Sequence, residues 1–370
     1  MIDMHGIVYA FHAFPELGPL QSPRTAASLP FCGRYRLIDF SLSAMMNAGI
    51  RDVGIIMQRD YQSLLDHLRS GKEWDLSRRD GGLRLLPPFG MPSSRLGEYR
   101  GCMEALSAVR PYLSDIRQKY VLLTRGNLLA NIDLTAAYES HVRSGAEITT
   151  LCTDSIPESR HHRYLLNNDG AAVDILCMQN ENTGGVTGME AYIVNKNTLL
   201  ELVDYSCAHR LLYFHRDAVK HFFSCGGTMN VFMHYGYSRH VGTVKEYFQS
   251  NMDMLHSEVR NDLFSPSRPV RTREHADVST YYAETAVTKN CLIADGCHID
   301  GNLENCIIFR GTSIASGAVL KNCVIMQNTV VGKGAKLTNL ISDKDVIITE
   351  DMTLAGSCEL PLIVPKGTRL

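Results

Sequence analysis

The chain has 370 residues, more than one typical domain and ample for a substantial core. A formal net charge of −2, with 21% charged and 45% hydrophobic residues, is that of an ordinary globular protein and argues against nucleic acid or an anionic membrane as the main partner. No stretch approaches the ~20 apolar residues that cross a bilayer, and the opening Met1-Ile2-Asp3-Met4-His5 lacks a signal peptide's basic segment and apolar run, so a cytoplasmic location is expected.

Along the first part of the chain, apolar strand-like runs alternate with helical patterns, which predicts an α/β layer fold. Strands are expected at residues 6–10, 52–57, 120–124, 148–152 and 188–194, with helices at 37–46 and 135–144 between them. Ligands bind such sheets at the carboxyl ends of strands, where the loop after the first strand and Asn127 would lie. Adjacent residues diverge on a strand or helix, so the pair His161-His162 reads as solvent-exposed rather than metal-binding. Residues 265–282 form a connector rich in Pro, Ser and Arg. Beyond it apolar residues recur every six positions, at Val287, Ile293 and Ile299, then Ile308, Ile314 and Leu320. The series resumes at Ile325, Val331 and Leu337, and again at Ile341 and Ile347. This is a parallel β-helix signal, each short strand turning one apolar side chain inward before a corner. The eleven cysteines show no Cys-x-x-Cys pair, and Cys291, Cys297, Cys306 and Cys323 read as small buried residues of the coil. The expected division is 1–264, a linker at 265–282, the β-helix at 283–357 and a tail at 358–370.

Gly33-Arg34-Tyr35-Arg36-Leu37-Ile38-Asp39-Phe40-Ser41-Leu42-Ser43, after Leu29-Pro30-Phe31 and before Asn47-Ala48-Gly49-Ile50, closely resembles the N-terminal signature of ADP-glucose pyrophosphorylases. Those enzymes, glucose-1-phosphate adenylyltransferases, join ATP and glucose 1-phosphate and release pyrophosphate. Asn290-Cys291-Leu292-Ile293-Ala294-Asp295-Gly296-Cys297 is similar to a segment of the family's C-terminal coil. The resemblance implies a Rossmann-like nucleotidyltransferase domain with a mixed, mainly parallel sheet, followed by a left-handed parallel β-helix.

The resemblance also shows what is missing. The family's glycine-rich phosphate loop falls on Phe11, His12 and Phe14, its loop arginine on Glu16, and a lysine on Ala26. A glycine-rich turn works because backbone N–H groups reach phosphate with no Cβ in the way, and Glu16 would repel a polyanion. The family's two Mg²⁺-binding aspartates fall on Asn127, in Val121-Leu122-Leu123-Thr124-Arg125-Gly126-Asn127, and on His240, in Gly236-Tyr237-Ser238-Arg239-His240-Val241-Gly242-Thr243. Mg²⁺ is a hard ion that wants anionic oxygen, so an amide and an imidazole replace them poorly. The family's Glu-Lys-Pro, whose lysine contacts the sugar phosphate, has no match. Nucleotidyl transfer depends on positioning and charge neutralisation, so joint loss implies catalytic silence. Ala27-Ser28-Leu29-Pro30-Phe31 fits the family's noncatalytic GlgD-type regulatory branch.

Gln58, Gly101 and Gly126 match positions that could leave a residual nucleotide pocket, or are relics. Arg34 matches a family lysine associated with a phosphorylated sugar activator. With Arg36 and the connector's Arg268, Arg271 and Arg273 it is a candidate regulatory anion site. The expectation is a regulatory subunit for a catalytic homologue, in a homo- or hetero-tetramer, responding to a phosphorylated metabolite and carrying no cofactor, Mg²⁺ belonging to the catalytic chain. The alternatives are an active sugar-nucleotide pyrophosphorylase with an atypical site, and a hexapeptide acyltransferase, for which His298 is the available coil histidine.

Overall fold

The computed structural model describes residues 2–88, 98–155, 161–179 and 184–370. These form two compact units, neither continuous in the chain. The first comprises Met1–His12, Ile38–His240 and Leu263–Arg271, and the second Ala13–Leu37, Val241–Asp262 and Thr272–Leu370.

The first unit is built on a nine-stranded mixed sheet. Met4–Tyr9, buried at every position, lies between the parallel strands Asp52–Ile56 and Tyr120–Arg125, and Gly82–Leu86 extends the parallel run. A strand covered on both faces needs a continuous apolar run rather than alternation, as Gly6-Ile7-Val8-Tyr9 supplies. Val186–Asn195 runs antiparallel to Tyr120–Arg125 and to Ile148–Thr153, and carries a register shift between Gly188 and Ala191. His161–Leu166 pairs with the start of that strand and with Ala172–Gln179. Of the expected helices, 37–46 is Ile38–Asn47 and 135–144 is Leu134–Ser144. In the latter, Asp133 accepts the Ala136 N–H at 2.9 Å and Gly145, at φ 66°, ends the helix.

His161 and His162 are both buried, at 6% and 5% exposure, not solvent-exposed as the sequence reading held. They do point to opposite faces of a strand, but both faces of this part of the sheet are covered.

In the second unit the coil is a left-handed parallel β-helix. Leu303 registers on Leu320 and Leu320 on Leu337, so one turn takes 17 residues. Ile299, Ile314, Val331 and Ile348 stack along one face of its core, joined by Cys297, Cys306 and Cys323. At each corner one residue adopts a left-handed conformation, and the sequence places there residues that tolerate it. Asn290, Asn305, Asn322 and Asn339 (φ 48–53°) take one corner; Gly296, Gly311, Asn328 and Asp345 take another. The asparagines also join side chain to side chain: Asn305 donates to Asn322 at 3.1 Å and Asn322 to Asn339 at 3.0 Å.

The six-residue count slips at both ends of the coil. Val287 is 60% exposed, because it lies on the first turn with no turn before it, and Ile347 is 40% exposed while Ile348 enters the core. Strictly hexapeptide spacing would need 18 residues per turn, so a 17-residue turn drifts the inward position by one. Leu362–Val364 then adds a further strand beside Lys336–Ser342. No helix among the described residues is long and apolar enough to cross a membrane.

Candidate active site

Tyr9 and Arg125 are register partners at the carboxyl ends of two parallel strands, and the Gly126 N–H donates to the Tyr9 carbonyl at 2.9 Å. The segments Ala10-Phe11-His12 and Gly126-Asn127 therefore rise from the same sheet edge. Phe11 is 4% exposed; its ring stacks on His12 (4.4 Å between centroids, 18° apart) and meets Tyr99 edge-on at 5.4 Å. An interlocked aromatic cluster occupies the turn whose resemblance implied a phosphate cradle. Gln58 fastens it: its amide nitrogen donates to the Phe11 carbonyl at 2.9 Å, and its amide oxygen accepts the Tyr99 N–H at 2.7 Å. Each end of that amide thus serves the protein's own backbone. Gly101 has a packing role, since a Cβ there would meet the Leu212 carbonyl oxygen at 2.2 Å.

Leu128–Ala130 pairs antiparallel with Ser238–His240, with Leu128 opposite His240, which draws Asn127 and His240 from 113 positions apart into one neighbourhood. Asn127 is buried, and the His240 Nε2 lies 3.0 Å from the Met189 carbonyl oxygen. Neither position supplies a carboxylate. Next to Met189 comes Glu190, whose carboxylate binds Arg125 at 2.5 Å and lies 3.6 Å from the His162 Nε2 and 3.5 Å from the His215 Nδ1.

The charges follow from that arrangement. Burial alone would raise the Glu190 carboxyl, but Arg125 and the two histidines hold it well below the ordinary carboxylate range. Burial drives His215 down to about 3 and also depresses His12, with Arg125 pushing the latter further. For His162, contacts with Cys177 and Glu190 outweigh burial and raise it to about 9. Arg125, Glu190 and His215 carried no local signal in the sequence. They come from separate elements and no short spacing links them.

Phe14 and Glu16 belong to the second unit, at the entrance to the 3-10 segment Pro15–Gln21, with Phe14 half-buried and Glu16 exposed. Ala26 is buried there. Pro30–Phe31 pairs with Tyr35–Arg36 in a tight hairpin, held by the Tyr247 hydroxyl donating to the Pro30 carbonyl at 2.6 Å. Arg34, at the hairpin tip, is exposed, whereas Arg36 donates to the Ser28 carbonyl at 3.3 Å. Arg24 donates from one nitrogen to both carboxylate oxygens of Asp343, each at 2.8 Å. Beside this pair, burial together with Arg36, Arg24 and Lys366 pushes Lys344 down to about 7. Of the connector arginines, Arg268 and Arg271 lie in the first unit, where Arg268 pairs with Asp133 at 3.6 Å and the Arg271 N–H donates to Ser43 at 2.8 Å. Arg273 falls in the second. His298 is exposed and packs on the Tyr281 ring at 5.0 Å.

The nucleotidyl transferase family model matches residues 16–257, and that of the GlmU-like C-terminal hexapeptide matches 276–358. The chain is 33% identical to the glycogen biosynthesis protein GlgD of Bacillus subtilis, over 95% of this chain and 92% of that protein. It is 35% identical to the GlgD protein of Geobacillus stearothermophilus, over 99% and 96%. The glucose-1-phosphate adenylyltransferase of Pseudothermotoga lettingae is 30% identical, over 82% of this chain and 73% of the enzyme.

Proposed function

The chain belongs to the nucleotidyl transferase family, in the group that includes GlgD proteins and glucose-1-phosphate adenylyltransferases, and we propose that it acts in glycogen biosynthesis as a catalytically silent regulatory subunit. The observation that carries this reading is the pair Asn127 and His240, set in one neighbourhood where the family resemblance implies two Mg²⁺ carboxylates. Between them they offer an amide and an imidazole, and the nearby carboxylate of Glu190 is engaged by Arg125. The aromatic cluster on Phe11, stapled by Gln58, supports the same reading, since phosphate oxygens would need the space and the N–H groups that it takes up.

The subunit would then act through assembly with a catalytic homologue, as part of a tetramer. The first turn of the coil supports an assembly role. Its strands pair on one side only, and Val278, Tyr281, Tyr282 and Val287 are 49–77% exposed there. A phosphorylated effector has a suitable environment in the second unit, where Arg24, Arg36, Lys344 and Lys366 act on one another electrostatically around the single carboxylate of Asp343.

The decisive experiment measures ADP-glucose formation from Mg²⁺, ATP and glucose 1-phosphate by this chain alone, by the catalytic homologue alone, and by the two mixed. The expected result is negligible turnover alone and a changed rate or effector response in the mixture. Turnover by the isolated chain comparable to the homologue's would refute silence. Asn127→Asp with His240→Asp should restore little, because Phe11 and His12 still occupy the phosphate turn.

A further inference from the structure

Glu190 gathers two imidazoles from separate elements, His162 from the strand His161–Leu166 and His215 from the π-helical turn Phe214–Ala218. We propose that His162, Glu190 and His215 bind a divalent transition-metal ion of borderline softness, Zn²⁺ in the first place. This site is distinct from the positions of Asn127 and His240.

The donor atoms of the three residues lie within 4.8 Å of one another. The two nitrogen-to-carboxylate separations, 3.6 and 3.5 Å, are too long for good charge-assisted hydrogen bonds, which run about 2.7–2.9 Å. They match the edge of a coordination shell instead: ligands ~2.0–2.1 Å from Zn²⁺ at a tetrahedral angle stand roughly 3.3–3.4 Å apart. The two imidazole rings stack at 3.8 Å, side by side against the one carboxylate.

The backbone is arranged to aim the carboxylate. Glu190 sits at φ 48°, a left-handed conformation costly for a residue with a Cβ, within the irregularity where Gly188 and Ala191 shift register against Ile148–Thr153. A side chain kept at such a position is re-aimed relative to a regular strand, and the strain persists only where the surroundings dictate it. His215 comes from a π-helical turn, itself an irregular element.

The donor set then selects the ion. Two imidazoles and one carboxylate suit Zn²⁺, Co²⁺ or Fe²⁺, whereas Mg²⁺ and Ca²⁺ favour all-oxygen shells. Arg125, bonded to the Oε2 of Glu190, orients the carboxylate from the outer shell and at the same time repels a cation. Affinity should therefore be moderate, and Mg²⁺ should not compete.

The test uses the full chain, stripped with a chelator and titrated calorimetrically with ZnCl2. One Zn²⁺ per chain is expected, unaffected by excess Mg²⁺. His162→Ala, His215→Ala and Glu190→Gln should each weaken binding at least tenfold, while His240→Gln should leave it within about twofold. Absence of binding by the parent chain would overturn the proposal, as would equal affinity in all three variants, which would place the ion on exposed cysteines or histidines. X-ray absorption of the Zn²⁺-loaded parent chain is independent of whether any variant folds. Imidazole scattering in a nitrogen and oxygen shell is expected, and a shell of sulfur alone would overturn the assignment.

Discussion

Replacing Asp343 by Asn should destabilise the second compact unit by about 3–5 kcal/mol, the usual cost of leaving one member of a buried ion pair alone. Arg24 and Asp343 are 3% and 0% exposed, and Arg24 holds both carboxylate oxygens at 2.8 Å. Its other side-chain contact is with the Met326 sulfur at 3.9 Å, too weak an acceptor to replace a carboxylate. Asp343 also accepts the Lys344 N–H at 2.7 Å, so the substitution disturbs a loop as well as a charge. The double variant Arg24→Met with Asp343→Leu removes both charges, and should recover most of the loss, since an apolar replacement avoids desolvating either ion. The only tryptophan, Trp74, lies in the first unit, so its fluorescence will not report this change. Hydrogen exchange of the strands Val319–Ile325 and Lys336–Ser342, with urea unfolding followed by circular dichroism, will. A loss below about 1 kcal/mol, or a double variant no more stable than Asp343→Asn, would refute the assignment of the pair as a buried, mutually dependent contact.

Asn322→Ala should cost about 1–3 kcal/mol through the left-handed backbone and two broken ladder bonds, and Asn322→Gly less, because glycine keeps the backbone; equal losses in urea unfolding would show that the conformation is not the main cost. Lys344 titrates near 7 against an ordinary 10.5, so between those values the unfolded chain binds a proton that the folded one does not, and stability falls as pH falls from 10.5 to 7. Lys344→Met should remove that slope and raise stability near neutral pH by a few kcal/mol at most, and parallel stability curves for parent and variant over pH 7–11 would contradict it. Arg36→Ala should weaken the response of a mixed complex to a phosphorylated effector while leaving assembly intact, as read by activation curves and light scattering; an unchanged curve would place the effector elsewhere.

The sequence by itself determined the elements and the losses. Long apolar runs such as Ile7-Val8-Tyr9 and Val121-Leu122-Leu123 specify buried parallel strands whatever their neighbours, because they can be satisfied only between two covered faces. The coil was legible for the same reason, a short-range period repeated many times, and it was misread at Val287 and Ile347, where a 17-residue turn departs from six-residue counting. The Asn127 and His240 substitutions could be seen by comparing residue types along the chain. What only the tertiary structure decided are contacts between residues far apart in sequence. Arg24 reaches Asp343 across 319 positions, and Glu190 meets Arg125, His162 and His215. His162 shows the difference most clearly. Alternation along a strand correctly separates it from His161, but whether the face it points to meets water or another layer depends on what packs there, and that is set by elements the local sequence does not contain.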